Sequence, residues 1–166
     1  NTLRSYNLDV ATWTEYVSPY PALLIETGIH RTLVDTGAGS LAPTTGKLFA
    51  NLGSAGVRAE DIDTVILTHA HVDHVGGAVN GDGRPAFPHA RYYISRSEWD
   101  FWTGEPDLSG LAMPEEERRL LIRSAQDSLR PLEDRIAFID GEQEIVPGIR
   151  AIPAPGHTPG HLAVEI

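Results

Sequence analysis

Four side chains able to bind a metal, His69, His71, Asp73 and His74, fall within six consecutive positions, directly after the apolar run Thr64-Val65-Ile66-Leu67. A β-branched and aliphatic run without polar alternation predicts a strand buried on both faces, and such a strand needs a layer above it and another below. The reactive groups then occupy the loop at the strand's end, where layered α/β proteins present polar chemistry on a rigid support. A lone loop histidine is usually just solvated or hydrogen-bonded, but a cluster this dense reads as a metal site. His69 and His71 are two positions apart, so in extended backbone they leave on the same side and can converge on one ion. Asp73 and His74 lie past the turn and are placed for a second ion.

The chain has no cysteine, so any ion must be held by nitrogen and oxygen. A three-histidine set needs one more member. His157, on the loop 153–161 between Pro155 and Pro159, is the candidate, and His161, where the last strand pattern starts, is the less suitable one. The composition excludes other classes. Thirteen basic against 23 acidic residues leave a formal charge of −10, which repels a phosphate backbone, so no nucleic-acid partner is expected. Nothing approaches the roughly 20 apolar residues of a membrane span. At 166 residues one domain is expected, able to bury roughly two thirds of its unfolded surface.

Along the chain, strands are expected at residues 8–13, 22–27 and 32–35, the last two joined as a hairpin through Gly28. A Gly-rich loop, Asp35-Thr36-Gly37-Ala38-Gly39-Ser40, follows. Helices are expected near 44–55, at 97–102 behind a Ser cap, and from Pro114 onward, where three glutamates face the helix dipole and Leu121, Ala125, Leu129 and Leu132 make an apolar stripe. Further strands are expected at 91–95, 136–139 and 149–152. Trp99, Phe101 and Trp102 read as packing between a helix and the sheet, with an apolar pocket wall as the alternative. The sum is a layered α/β or α+β domain.

Three motifs in order carry a resemblance: Leu33-Val34-Asp35-Thr36-Gly37, then His69-Ala70-His71-Val72-Asp73-His74 after an apolar strand, then Gly156-His157-Thr158-Pro159-Gly160-His161. Together they resemble the metallo-β-lactamase-fold hydrolase superfamily, and residues 61–77 and 92–102 are most similar to its N-acyl homoserine lactonase and methyl-parathion-hydrolase-like branch. The resemblance implies an α+β fold, an αββα sandwich that is C-terminally incomplete here, with residues 1–166 forming a single domain that is the N-terminal two thirds of a longer one. It implies two Zn²⁺ ions per complete domain, other divalent ions being alternatives. His69, His71 and His157 would hold the first and Asp73 and His74 the second. Asp35 would support the metal loop, and His161 would either support a ligand from behind or be structural. The family's bridging Asp and last His lie downstream of the third motif, and Glu165 is a poor substitute for the former.

The implied function is a metal-dependent hydrolase in which a metal-bound hydroxide cleaves an ester-like bond, a lactone by first choice, with Asp73 as the catalytic proton shuttle. An organophosphate triesterase, a glyoxalase-type thioesterase or a β-lactamase are the alternatives within the superfamily, and a non-catalytic metal-binding module is the alternative outside it. The expected partner is a small-molecule substrate. A homodimer is compatible with the chain, and a soluble protein of the cytoplasm is the first expectation, with export by a removed leader the alternative because the chain begins at Asn1.

Overall fold

The computed structural model describes residues 19–166, so the strand expected at residues 8–13 lies outside it. Strands β1 (Leu23–Thr27) and β2 (His30–Val34) form the expected hairpin. Strands β3 (Thr64–Ile66), β4 (Arg91–Ser95) and β5 (Ile136–Ile139) join in order, each parallel to the one before, to complete a five-stranded sheet β1-β2-β3-β4-β5. A second sheet of three strands is an antiparallel meander of β6 (Gln143–Val146), β7 (Ile149–Pro153) and β8 (Leu162–Glu165). The helices are α1 (Leu48–Ser54), the single turn α2 (Val72–Val75), α3 (Arg96–Thr103) and α4 (Glu115–Leu129).

Side-chain alternation along the first sheet divides the core in two. Leu33, Val65, Tyr92, Ile94 and Ile136 point to one face, where Leu52 of α1, Trp99 and Trp102 of α3, and Ala125 and Leu129 of α4 cover them. Ile25, Ile66, Tyr93 and Ile139 point to the other, where Val146, Ile149, Ala151 and Leu162 of the second sheet meet them. Val65 and Ile66 are both fully buried, one on each face, which bears out the strand read from the apolar run. The described residues thus form a helix–sheet–sheet sandwich, three of the four layers of the expected αββα arrangement.

Some boundaries shift for local reasons. The helix expected from residue 44 begins at Leu48, because the Thr45 hydroxyl bonds to the carbonyl oxygens of Gly39 and Ala42 and closes a turn there. Helix α3 begins at Arg96, and the Ser95 hydroxyl at its cap meets that of Ser97 at 2.8 Å instead of a helix N–H. Pro114 takes the cap position of α4, with Glu115, Glu116 and Glu117 in the first turn as expected.

The topology delivers chemistry to one edge. Parallel strands β2, β3 and β4 end side by side, with Val34 opposite Ile66 and Ile66 opposite Tyr93. Just past those ends come Asp35, His69 and Glu98, respectively. The β7–β8 turn of the second sheet brings in His157, and the Leu162 N–H donates to the Thr68 carbonyl at 2.9 Å, tying the two histidine loops together.

Candidate metal centre

The structure brings together three of the residues named from sequence. One side-chain nitrogen from each of His69, His71 and His157 lies within 4.8 Å of the other two. His69 is buried, His71 partly so, and His157 is exposed, so the trio is closed at its base and open at its mouth. His71 Nδ1 and His157 Nε2 are 3.1 Å apart. The His69 ring stacks on that of His161, with centroids 4.5 Å apart.

Asp35 is the anchor behind this group. Its Oδ1 accepts from the Thr68 N–H at 2.8 Å, and its Oδ2 accepts from the Thr68 hydroxyl at 2.8 Å and from His74 Nδ1 at 2.7 Å. The backbone at Asp35 is left-handed, φ 58°, the sole non-glycine residue so placed among those described. Asp tolerates this region better than most residues, and strain there is held only where the surroundings over-determine it. Three side-chain hydrogen bonds supply that constraint. Thr36 completes the clamp, since its N–H and hydroxyl both donate to the His74 carbonyl, at 2.7 and 2.9 Å.

Asp73 and His74 lie on α2 beside the trio. With Nδ1 engaged by Asp35, the other ring nitrogen of His74 is 3.5 Å from Asp73 Oδ2, and its ring centroid is 4.0 Å from that of His69.

The titration behaviour differs across the cluster. Burial, reinforced by the charges of His74, His71, His161 and His157, pushes the His69 imidazolium down to about 2. Burial and then His157 lower His71, against opposition from Asp73 and Glu98, and burial lowers His161. For His74 burial acts downward, but the hydrogen bond and charge of Asp35, with Asp73, outweigh it and raise the pKa.

These residues fit a divalent cation of the zinc type. His69 Nδ1 is satisfied by the Thr68 hydroxyl at 3.1 Å, whereas its Nε2 is buried with no hydrogen-bond partner. An orphaned buried nitrogen costs on the order of 1–3 kcal/mol, and coordination removes that cost. Neutral imidazoles are the form a metal requires, and burial keeps His69 and His71 in it.

One participant is not legible in the sequence. Glu98, on α3, is fully buried, and both of its oxygens are engaged. Oε1 accepts from the Ala70 N–H at 2.9 Å and from Trp102 Nε1–H at 2.8 Å, and Oε2 accepts from the Gly160 N–H at 2.8 Å. The Glu98–Trp102 spacing of i, i+4 is a local signal, but Ala70 and Gly160 are remote in the chain. Of the aromatic residues, Trp99 packs against Phe138 with centroids 5.7 Å apart, in the core, while the rings of Trp102 and His71 meet in a T-shaped arrangement with centroids 5.5 Å apart. A cleft of about 1480 Å³ runs between the loop after β2, α1 and residues 79–81, bordering the site at Thr36 and Gly76 but containing none of the three histidines.

Comparison with known proteins agrees with this geometry. An N-acyl homoserine lactonase of Bacillus sp. is 30% identical over 121 residues, covering 69% of this chain and 37% of the lactonase. Among solved structures, AidC, a dizinc quorum-quenching lactonase determined in complex with a product, superposes with a TM-score of 0.79 at 34% identity, over 86% of this chain and 50% of its own. The hydrolase AbOPH of the beta lactamase superfamily superposes with a TM-score of 0.74 at 31% identity, over 87% and 50%. The chain therefore spans about half the length of these solved relatives and less of the curated one. The family profile described as the Metallo-beta-lactamase superfamily matches residues 16–166. That match covers all three motifs and both histidine loops, and the chain belongs to the metallo-beta-lactamase superfamily.

Proposed function

We propose that this protein is a metal-dependent hydrolase of an ester-like bond, a lactone in the first place, and that His69, His71 and His157 hold a divalent ion at its active centre. The observation that carries the reading is the convergence of three neutral or exposed imidazoles, one with an orphaned buried nitrogen, at the ends of two rigid strands. The choice of lactone is supported by the Bacillus relative and by AidC, both lactonases above the similarity at which only a fold is shared.

When bound, a divalent ion of this type polarises a carbonyl oxygen and brings the pKa of water toward neutrality. The chain's own contributions are positional. His69, set rigidly at the end of β3 and hydrogen-bonded by Thr68, fixes the base of the site, while His71 and the exposed His157 define its open side. Asp35 holds His74 by Nδ1 and leaves the other nitrogen on the Asp73 side, the orientation a second ion would need. Asp73 is partly exposed and carries a proton to the departing alkoxide oxygen, the role of a positioned carboxylate.

The test is turnover of N-hexanoyl homoserine lactone by the full chain as purified, after chelation, and after return of Zn²⁺. Chelation is expected to abolish ring opening and Zn²⁺ to restore it. Turnover that survives chelation rejects the metal, and metal uptake without turnover of lactone, thioester or phosphotriester favours a binding module.

A further inference from the structure

We propose that Glu98 is the positioning residue of this centre: one buried carboxylate that holds the His69/His71 loop and the His157 loop at a fixed separation and supplies the negative charge beside the cation they share. The second half of this statement rests on the metal reading above, and the first does not.

The hydrogen bonds of Glu98 go to the middle of both histidine motifs. Ala70, whose N–H it accepts, lies between His69 and His71, and Gly160, whose N–H its other oxygen accepts, lies between His157 and His161. These contacts are 28 and 62 residues from Glu98 in the chain, so a single side chain closes two long loops at once. The Gly160 approach is also steric. A Cβ there would meet Glu98 N at 2.3 Å and Glu98 Cβ at 2.6 Å, so the His157 loop lies directly on the first turn of α3 and tolerates no side chain. Through its third bond Glu98 orients the Trp102 indole, which packs in a T-shaped contact with the His71 ring. The three ligand candidates are therefore each one residue, one loop or one ring away from the same carboxylate.

Charge gives an independent argument. Glu98 is fully buried, yet among the described residues no Lys, Arg or His forms an ion pair with it. Neutral N–H donors satisfy its oxygens but leave its charge without a counterion, and a buried uncompensated charge is costly. A divalent cation on His69, His71 and His157 supplies that counterion.

The experiment titrates Co²⁺, read by its visible absorption, into the metal-free full chain of wild type and Glu98→Gln. Gln keeps the shape but presents an N–H₂ to one of the three donors and removes the charge. The expected result is roughly 10–100-fold weaker Co²⁺ binding, the usual cost of altering a group that orients ligands, with an altered absorption envelope and a fall in thermal midpoint that is larger for the metal-loaded than for the metal-free protein. Glu98→Gln that binds Co²⁺ as tightly as wild type overturns the proposal, as does equal destabilisation of metal-free and metal-loaded protein, which marks a purely structural role. A second readout uses wild type alone: in the metal-free protein the amide protons of Ala70 and Gly160 are expected to exchange slowly with solvent, because the clamp is formed before the metal enters. Fast exchange at either amide overturns the clamp whether or not the variant folds. Wild type that takes up no Co²⁺ overturns the metal reading and the charge role together, and amide exchange still decides the clamp.

Discussion

Replacing His69 with alanine is expected to weaken Zn²⁺ binding by more than about 100-fold and to reduce hydrolysis to the level of the metal-free protein. The loss exceeds the roughly 10–100-fold typical of residues that orient a ligand, because His69 is the one candidate ligand that is fully enclosed and whose Nε2 has no other partner. The metal-free variant should still fold, since the substitution removes an unsatisfied nitrogen as well as creating a small cavity. Acidification separates the two proteins further. The folded-state pKa of His69 lies at about 2, below the ordinary 6.5, so the unfolded chain takes up the proton first. The stability that His69 contributes is complete above pH 6.5 and is lost as pH falls toward 2. Metal-free wild type should therefore lose stability below that pH more steeply than His69→Ala, as read by thermal melts from pH 7.5 to 5. Asp35→Asn belongs in the same series at the lower end. Asn tolerates the left-handed backbone but lacks the charge that holds His74, so a loss of about 10–100-fold in metal affinity is expected. Calorimetric titration of the three proteins gives the order, and equal affinities would remove His69 from the ligand set.

Gly39→Ala is expected to destabilise the protein by about 3 kcal/mol or more and to displace α2. Two penalties add there. The residue has φ 53°, a region costing of order 1–3 kcal/mol for a non-glycine side chain. In addition, its Cβ would stand 2.1 Å from the Gly76 carbonyl oxygen and 2.6 Å from the carbonyl carbon, a clash with backbone that no rotamer relieves and of the kind costing roughly 1–3 kcal/mol. Gly56→Ala is the matched control, with φ 74° and nothing within 4 Å of the added atom, so it carries the first penalty alone. Gly76 directly follows the turn bearing Asp73 and His74, and Thr36 in the adjoining loop holds the His74 carbonyl. Urea denaturation of both variants should show a much larger fall in midpoint for Gly39→Ala, with weakened metal binding in that variant only. Equal midpoints would mean that the Asp35–Gly39 loop does not brace α2.

The chemistry of the histidine loops was legible because it is local. His69 and His71 are fixed by their spacing at the end of an apolar strand, and two prolines flank His157 at a strand turn. The hairpin through Gly28 and the buried stripe of α4 follow from short-range periodicity in the same way. Strand β6 was not legible, since Gln143 and Glu144 are exposed and only Val146 is buried; its extended form comes from pairing with β7. The sandwich was expected through family resemblance, whereas the order of strands in each sheet was not predicted, because pairing between distant segments leaves no periodic trace. Glu98 illustrates the same limit at the site. Its neighbours Ser97 and Trp99 suggest nothing beyond a short helix, and its importance comes from two amides that only the fold brings to it. Trp102 shows a mixed outcome: it is buried as packing predicts, yet its ring also packs against that of His71.

The most direct measurement is anomalous diffraction at the zinc edge from crystals grown with Zn²⁺. The account predicts a peak bonded to nitrogens of His69, His71 and His157 at about 2.0–2.1 Å, with Glu98 still bridging Ala70 and Gly160. Zinc found only at other residues, with no peak on His69, His71 and His157, contradicts it.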